Sequence, residues 1–191
     1  MRMMIQLRGS NGYGKTTAVS QFIAKRGMIP ENIDCDGETF ELQTDGKGIY
    51  VLAKRRNDGT YSGLDGYVHD RNMLIKLIKK LIKTRQPDVI VFEGLIYGVT
   101  FKLGFDLNQL AKMYGYHFTA ICLSLPRDIA IDRLYKRNGG KPFNEDAFDG
   151  RCKSTIASYE KLRDNGVDAR LVDTSKIQKN NMYTIIEGVL E

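Results

Sequence analysis

The chain has 191 residues, 42% of them apolar and 27% charged, with a formal net charge of +6. This fits one domain with a sizeable core, and the balance excludes a disordered or fibrous chain. No apolar run approaches a membrane span, and Met1-Arg2-Met3-Met4 leads into no secretory segment. Cys35, Cys122 and Cys152 are odd in number and scattered, which argues against a disulfide framework or a zinc site and for a reducing cytoplasm. The positive charge suits a polyanionic partner, and nucleotides alone would account for it.

Met3, Met4, Ile5 and Leu7 form the first pattern, an apolar-rich strand, followed at once by Gly9-Ser10-Asn11-Gly12-Tyr13-Gly14-Lys15-Thr16. Ala18, Val19, Phe22 and Ile23 then recur at helical spacing. Strand, G-x-x-x-x-G-K-T and helix, in that order, predict a phosphate-binding loop. The glycines let successive backbone N–H groups point inward, and the helix starting near Gly14 adds the positive end of its dipole. The expected nucleotide-binding residues are Gly9, Ser10, Asn11, Gly12, Tyr13, Gly14, Lys15, Thr16 and Thr17. Lys15 is expected along the β- and γ-phosphates and the Thr16 hydroxyl on Mg²⁺.

Gly27 ends this helix, and Ile33 and Cys35 lead to Asp34, Asp36, Gly37 and Glu38 near the end of a second strand. Phe40 to Gln43 and Ile49 to Leu52 flank Asp45-Gly46, which predicts a β-hairpin inserted in a parallel arrangement. Lys54 to Gly66 has no periodicity and reads as a loop. From Asp70 to Arg85, Met73, Leu74, Leu77, Ile78, Leu81 and Ile82 share one helical side. Lys76, Lys79, Lys80 and Lys83 form the other side, as a solvated face or a stripe for nucleic-acid phosphates. Val89 to Glu93 reads as a strand buried on both faces that delivers a carboxylate at its end.

Asp106 is expected to cap a short helix, Leu107 to Tyr114, and Phe118 to Leu123 reads as another buried strand. Arg127 to Arg137 is helical, with Arg133 and Arg137 on one face, broken by Asn138-Gly139-Gly140-Lys141. Asn144 caps a longer helix whose expected inner face is Phe148, Cys152, Ile156, Tyr159 and Leu162. Ala169 to Val172 is a last strand, followed by Asp173-Thr174-Ser175 and a C-terminal helix. Alternating strands and helices behind a phosphate loop predict an α/β protein, a parallel sheet with ligand groups at its carboxyl edge.

Binding a triphosphate is compatible with phosphoryl transfer, a nucleotide switch or a motor. The sequence has no [NT]-K-x-D motif for guanine and no L-S-G-G-Q-like segment, and it is short for a motor core. Arg133 and Arg137 beside a glycine-rich break look like a lid that closes on phosphates, or like surface partners of carboxylates. Glu93 suits a Mg²⁺ position or the acceptor site.

Leu125-Pro126 with Arg133, Leu134 and Arg137, together with the phosphate loop, resembles the small P-loop kinase group of nucleoside, nucleotide and polynucleotide kinases. Val91-Phe92-Glu93-Gly94-Leu95 is similar to the E-G element of uridine kinases and to phage-encoded P-loop kinases. The phage pattern includes G-G-x-D ahead of this strand; here the run is Ser62-Gly63-Leu64-Asp65, with serine in place of the first glycine. Some of that group are 5-hydroxymethyluracil DNA kinases, acting in thymidine hypermodification.

The resemblance implies one three-layer P-loop kinase domain over 1–191, with a central, mainly parallel sheet. It also implies an acceptor-site insertion with the hairpin at about 36–68 and an arginine-bearing lid at about 133–145. The catalytic set it implies is Lys15, Asp65, Glu93, Arg133 and Arg137, with Asp36 competing as base, and the metal residues are Thr16 and Glu93. ATP and Mg²⁺ are the implied donor and cofactor, and the acceptor is modified DNA or a nucleotide. Lys54-Arg55-Arg56 fits a phosphate-bearing acceptor or an ordinary exposed loop. A free nucleoside or nucleoside monophosphate kinase, and a non-catalytic nucleotide switch, are the alternatives.

Overall fold

A computed structural model describes residues 1–68, 70–94 and 100–191; Leu95 of the E-G-L run therefore lies outside the described residues. In chain order the strands are β1 (Arg2–Arg8), β2 (Ile29–Cys35), β3 (Glu38–Thr44), β4 (Ile49–Leu52), β5 (Lys54–Arg55), β6 (Tyr61–Ser62), β7 (Val89–Glu93), β8 (Tyr116–Ser124) and β9 (Asp168–Asp173). The helices are α1 (Lys15–Lys25), α2 (Arg71–Arg85), α3 (Phe101–Met113), α4 (Arg127–Arg137), α5 (Glu145–Asp164) and α6 (Thr184–Leu190).

Seven strands form one sheet in the order β2-β3-β4-β7-β1-β8-β9. From β4 to β9 every neighbouring pair is parallel, and β3 alone runs against its neighbours. The central strands are apolar on both faces because both faces are covered. Met4, Ile90, Phe92 and Phe118 pack toward α2 and α3, whereas Ile5, Leu7, Val91 and Leu123 pack toward α1 and α6. Each such side chain contributes about 1.5–3 kcal/mol by leaving water. This is the three-layer α/β architecture the pattern predicted.

The Asp70 side chain accepts from Met73 N and starts α2, whose Leu74, Leu77, Ile78, Leu81 and Ile82 are buried as the periodicity required. Arg8, at the end of β1, is fully buried. It donates to Gln6 Oε1 at 2.8 Å, to the Thr100 carbonyl at 2.8 Å and to Ser158 Oγ at 2.7 Å. These bonds tie the strand before the phosphate loop to α3 and α5.

Several local expectations are corrected. The hairpin around Asp45-Gly46 exists as β3–β4, but β4 also pairs in parallel with β7 and so belongs to the main sheet. A second hairpin, β2–β3, turns at Asp36-Gly37, where both residues have positive φ (52° and 81°), the geometry of a two-residue turn that follows the strand twist. Lys54 to Gly66 is not a bare loop: β5 pairs with β6, and Leu64–Gly66 is a 3₁₀ turn. Asp106 lies inside α3 and pairs with Arg71, because Leu103, Leu107, Leu110 and Ala111 extend the apolar stripe backward past it. On α5, Thr155 and Ser158 are buried where Ile156 and Tyr159 were expected, since Ser158 satisfies the Arg8 guanidinium.

Candidate active site

β1 stops at Arg8 and the chain turns through the glycine-rich loop into α1. Gly12 and Gly14 have φ of 80° and 91°, which a side chain adopts only under strain. Space is tight as well: a Cβ at Gly12 would sit 3.3 Å from the Ala130 carbonyl oxygen, and one at Gly14 would have to displace the flexible Met182 methyl from 2.6 Å. The loop is thus wedged between α4 and the segment leading to α6. Gly14 precedes α1 without a side-chain cap, so the first-turn N–H groups and the helix dipole are available to an anion.

A cleft of about 650 Å³ opens over this loop. Asn11, Lys15, Thr16 and Thr17 form its floor, with Arg133 and Arg137 from α4 on one wall. Arg56, Thr60, Tyr61 and Gly63 close a second wall, and Ile177, Lys179 and Met182 a third.

Lys15 is only 7% exposed, and its Nζ donates to the Gly9 and Ser10 carbonyls at 2.9 and 3.1 Å. Burial lowers its pKa, the Glu93 and Asp65 carboxylates oppose that, and Arg137 adds to it. Glu93 ends β7 in register with Leu7 of β1, two residues before the loop begins. That register lets Thr16 Oγ1 donate to Glu93 Oε1 at 2.7 Å across 77 residues of sequence. Burial raises the Glu93 pKa, Lys15 and the Thr16 hydrogen bond pull it back, and Asp65 pushes it up further. Gly63 lies directly on this carboxylate; a Cβ there would sit 2.6 Å from Glu93 Cδ.

Lys15, Thr16, Glu93, Asp65, Arg133 and Arg137 are therefore gathered at one place. Asp65 is exposed at the start of its 3₁₀ turn and acts on both Lys15 and Glu93 through its charge. Arg133 Nη1 reaches the Gly12 carbonyl at 3.5 Å. Asp36 is not in this group: it occupies the tip of the β2–β3 hairpin and pairs with Lys76 of α2. The Tyr13 side chain also turns away, donating to Cys152 Sγ at 2.9 Å and packing edge-on against Phe148. The Ser10 hydroxyl is buried without a partner among the described residues.

Sequence reasoning missed Gly63 as a spacer and Ile177, Lys179 and Met182 as cleft walls. The last three carry no local signal, because only the fold brings them to the loop. Arg56 was legible as a cation, although its place in the nucleotide cleft was not.

The Thr16 hydroxyl and the Glu93 carboxylate are hard oxygen donors side by side, a set that fits Mg²⁺, which takes few protein ligands beside a triphosphate. Among the described residues no group of three or more His, Cys, Asp or Glu side chains could cage a metal. No helix of the described residues is long and apolar enough to cross a membrane.

No known protein-family profile matches the chain. The chain is 27% identical over 191 residues to the 5-hmdU DNA kinase of Bacillus phage SP10, covering 94% of itself and 28% of that protein. The chain thus spans less than a third of this relative's length. It is 25% identical over 197 aligned residues to the 5-hmdU DNA kinase of Pseudomonas phage M6, covering 92% of itself and 97% of that protein. Among solved structures, deoxyadenosine kinase from M. mycoides superposes with a TM-score of 0.51 at 18% identity, covering 100% of both chains. The chain has the fold of P-loop kinases and is similar in sequence to phage 5-hmdU DNA kinases.

Proposed function

We propose that this protein is an ATP- and Mg²⁺-dependent kinase that phosphorylates the hydroxymethyl group of 5-hydroxymethyluracil in DNA, a step of thymidine hypermodification. The observation that carries the reading is the contact of Gly63 with Glu93, which itself holds Thr16. It sets the segment bearing Asp65 against the phosphate loop, so one cleft offers a donor site and an approach for an acceptor hydroxyl. The similarity to phage proteins named 5-hmdU DNA kinase supports the choice of acceptor.

In this reading the loop N–H groups and α1 cradle the triphosphate, and Lys15 follows the γ-phosphoryl group with its charge. Thr16 and Glu93 would hold Mg²⁺, which when bound neutralises charge on the phosphates. Arg133 and Arg137 stabilise charge that builds on the transferred group. The acceptor oxygen forms its bond to the γ-phosphorus as the bond to the departing ADP oxygen breaks, and the hydroxyl proton passes to the Asp65 carboxylate. Asp36, paired with Lys76 at the hairpin tip, has no role in this reading.

Transfer of radiolabelled γ-phosphate tests the reading across nucleosides, nucleotides, plain DNA and DNA containing 5-hydroxymethyluracil. Label is expected on the modified DNA, and label on the free nucleoside or nucleotide alone would make the protein a small-molecule kinase instead. Asp65→Asn is expected to lower kcat by roughly two to four orders of magnitude and Asp36→Asn to leave it nearly unchanged. The reverse ranking would move the base to the hairpin tip.

A further inference from the structure

A second cavity, about 400 Å³, lies between the β2–β3 hairpin and Gly66-Tyr67, within the size range of small-molecule sites. Asn32, Thr39, Phe40, Glu41, Lys54 and Tyr67 line it. A basic depression of about 510 Å³ shares Lys54 and Gly66 with the cavity and Arg56 with the nucleotide cleft. The three spaces adjoin through these shared residues, and Gly66, next to Asp65, lines both the cavity and the depression. We infer that the far cavity receives the acceptor's pyrimidine base, unstacked from its neighbours, while the basic depression holds an adjoining backbone phosphate. This inference rests on the kinase reading above.

Charge separates the two roles. Glu38 and Glu41 line the cavity against the single cation Lys54, so it disfavours a phosphate and suits a neutral base that presents an N–H. Lys54, Arg55 and Arg56 line the depression beside it and outnumber its one carboxylate, Asp58, so an anion is favoured there.

The hydrogen-bonding groups match as well. A 5-substituted uracil shows one N–H between two carbonyl oxygens. Glu41 Oε1 is already occupied, accepting from Arg55 N at 2.7 Å and from Gln43 Nε2 at 2.9 Å. Its Oε2 makes no hydrogen bond among the described residues and can accept from the base N–H. The exposed Asn32 amide likewise makes none among them and can donate to a carbonyl.

The half-buried Tyr67, packed at a centroid distance of 6.2 Å and a tilt of 45° against the core ring of Phe40, supplies an aromatic side chain at the cavity wall for the base. The Tyr67 hydroxyl is buried without a partner among the described residues, a rare state in native proteins that marks positions of special use. Burial raises the pKa of that hydroxyl, and the nearby Glu41 and Glu93 carboxylates raise it further. A base stacked in a duplex could not reach such a recess, so entry requires a single-stranded or flipped target.

The test is transfer kinetics with two acceptors, a single-target 5-hydroxymethyluracil oligodeoxynucleotide and free 5-hydroxymethyl-2′-deoxyuridine. Asn32→Trp fills the cavity from an exposed position, and Glu41→Gln removes the charge but keeps an oxygen for Arg55 N. Each is expected to raise KM for both acceptors by about tenfold or more, leaving KM for ATP and the thermal midpoint unchanged. Lys54→Gln is expected to raise KM for the oligodeoxynucleotide alone. An unchanged acceptor KM in Asn32→Trp, with wild-type transfer intact, overturns the base site and leaves the kinase reading standing. Absence of transfer by the wild-type protein to either acceptor overturns both.

Discussion

Glu93 is held between opposing influences: burial favours its neutral form, while Lys15 and the Thr16 hydroxyl favour the carboxylate. Burial wins, so the folded protein keeps a proton that the unfolded chain has released between the ordinary glutamate value and the raised one. The contribution of Glu93 to stability therefore falls as pH climbs through that window. Thermal midpoints of wild type and Glu93→Gln, measured across pH, should separate in favour of the variant over the same window; a constant difference would mean Glu93 is not so perturbed. Gly63 makes a second, purely steric prediction. Its φ is ordinary, −68°, so alanine suits the backbone but collides with the Glu93 carboxylate. Gly63→Ala should lower kcat by about one to two orders of magnitude through displacement of Glu93, with the fold retained by circular dichroism. Lys15, Thr16 and Glu93 were legible in the sequence because each belongs to a local pattern, a loop motif or the end of an apolar run. The role of Gly63 was not, since nothing local says which carboxylate it must make room for.

At the scale of elements, α4 does two things for the cleft. Its inner face meets Gly12 through Ala130 and Leu134, which fixes its distance from the loop. The same face carries Arg133 and Arg137, at i+3 and i+7 from Ala130, to the cleft wall. Arg127, at its start, bonds to Glu145 and Asp149 of α5, which joins the two helices across the glycine-rich break. In the proposed reaction the charge of Arg133 and Arg137 acts mostly on the phosphoryl group in transfer, so Arg133→Ala and Arg137→Ala should each lower kcat by about tenfold or more with a smaller effect on ATP affinity. Nucleotide titration beside steady-state kinetics checks this, and loss of thermal stability alone would make either arginine structural. The bounds of α2, α4, β7 and β8 were legible to within a few residues, since each has a clear apolar period and end signals. The β2–β3 hairpin was not. The run from Cys35 to Ile49 holds two Asp-Gly pairs, and a chain rule alone cannot decide which forms the tight two-residue turn.

At the scale of the whole molecule, the parallel order β4-β7-β1-β8-β9 sets the phosphate loop and Glu93 at one edge of the sheet. The β2–β3 hairpin and the short β5–β6 pair then extend the chain on the side where Gly63 and Arg56 meet the cleft. The layered fold was legible because strands buried on both faces leave near-continuous apolar runs. The cleft walls at Ile177 and Met182 were not, because they approach the loop only when β9 and α6 have packed. The central claim is that this cleft couples a bound triphosphate to an acceptor hydroxyl. ADP release, measured with and without DNA containing 5-hydroxymethyluracil, tests it most directly, with Lys15→Ala as the control. Modified DNA should accelerate ADP release by the wild-type protein, and Lys15→Ala should lower this rate by about two or more orders of magnitude. ADP release at one rate with and without any hydroxyl acceptor, or wild-type turnover by Lys15→Ala, would contradict it.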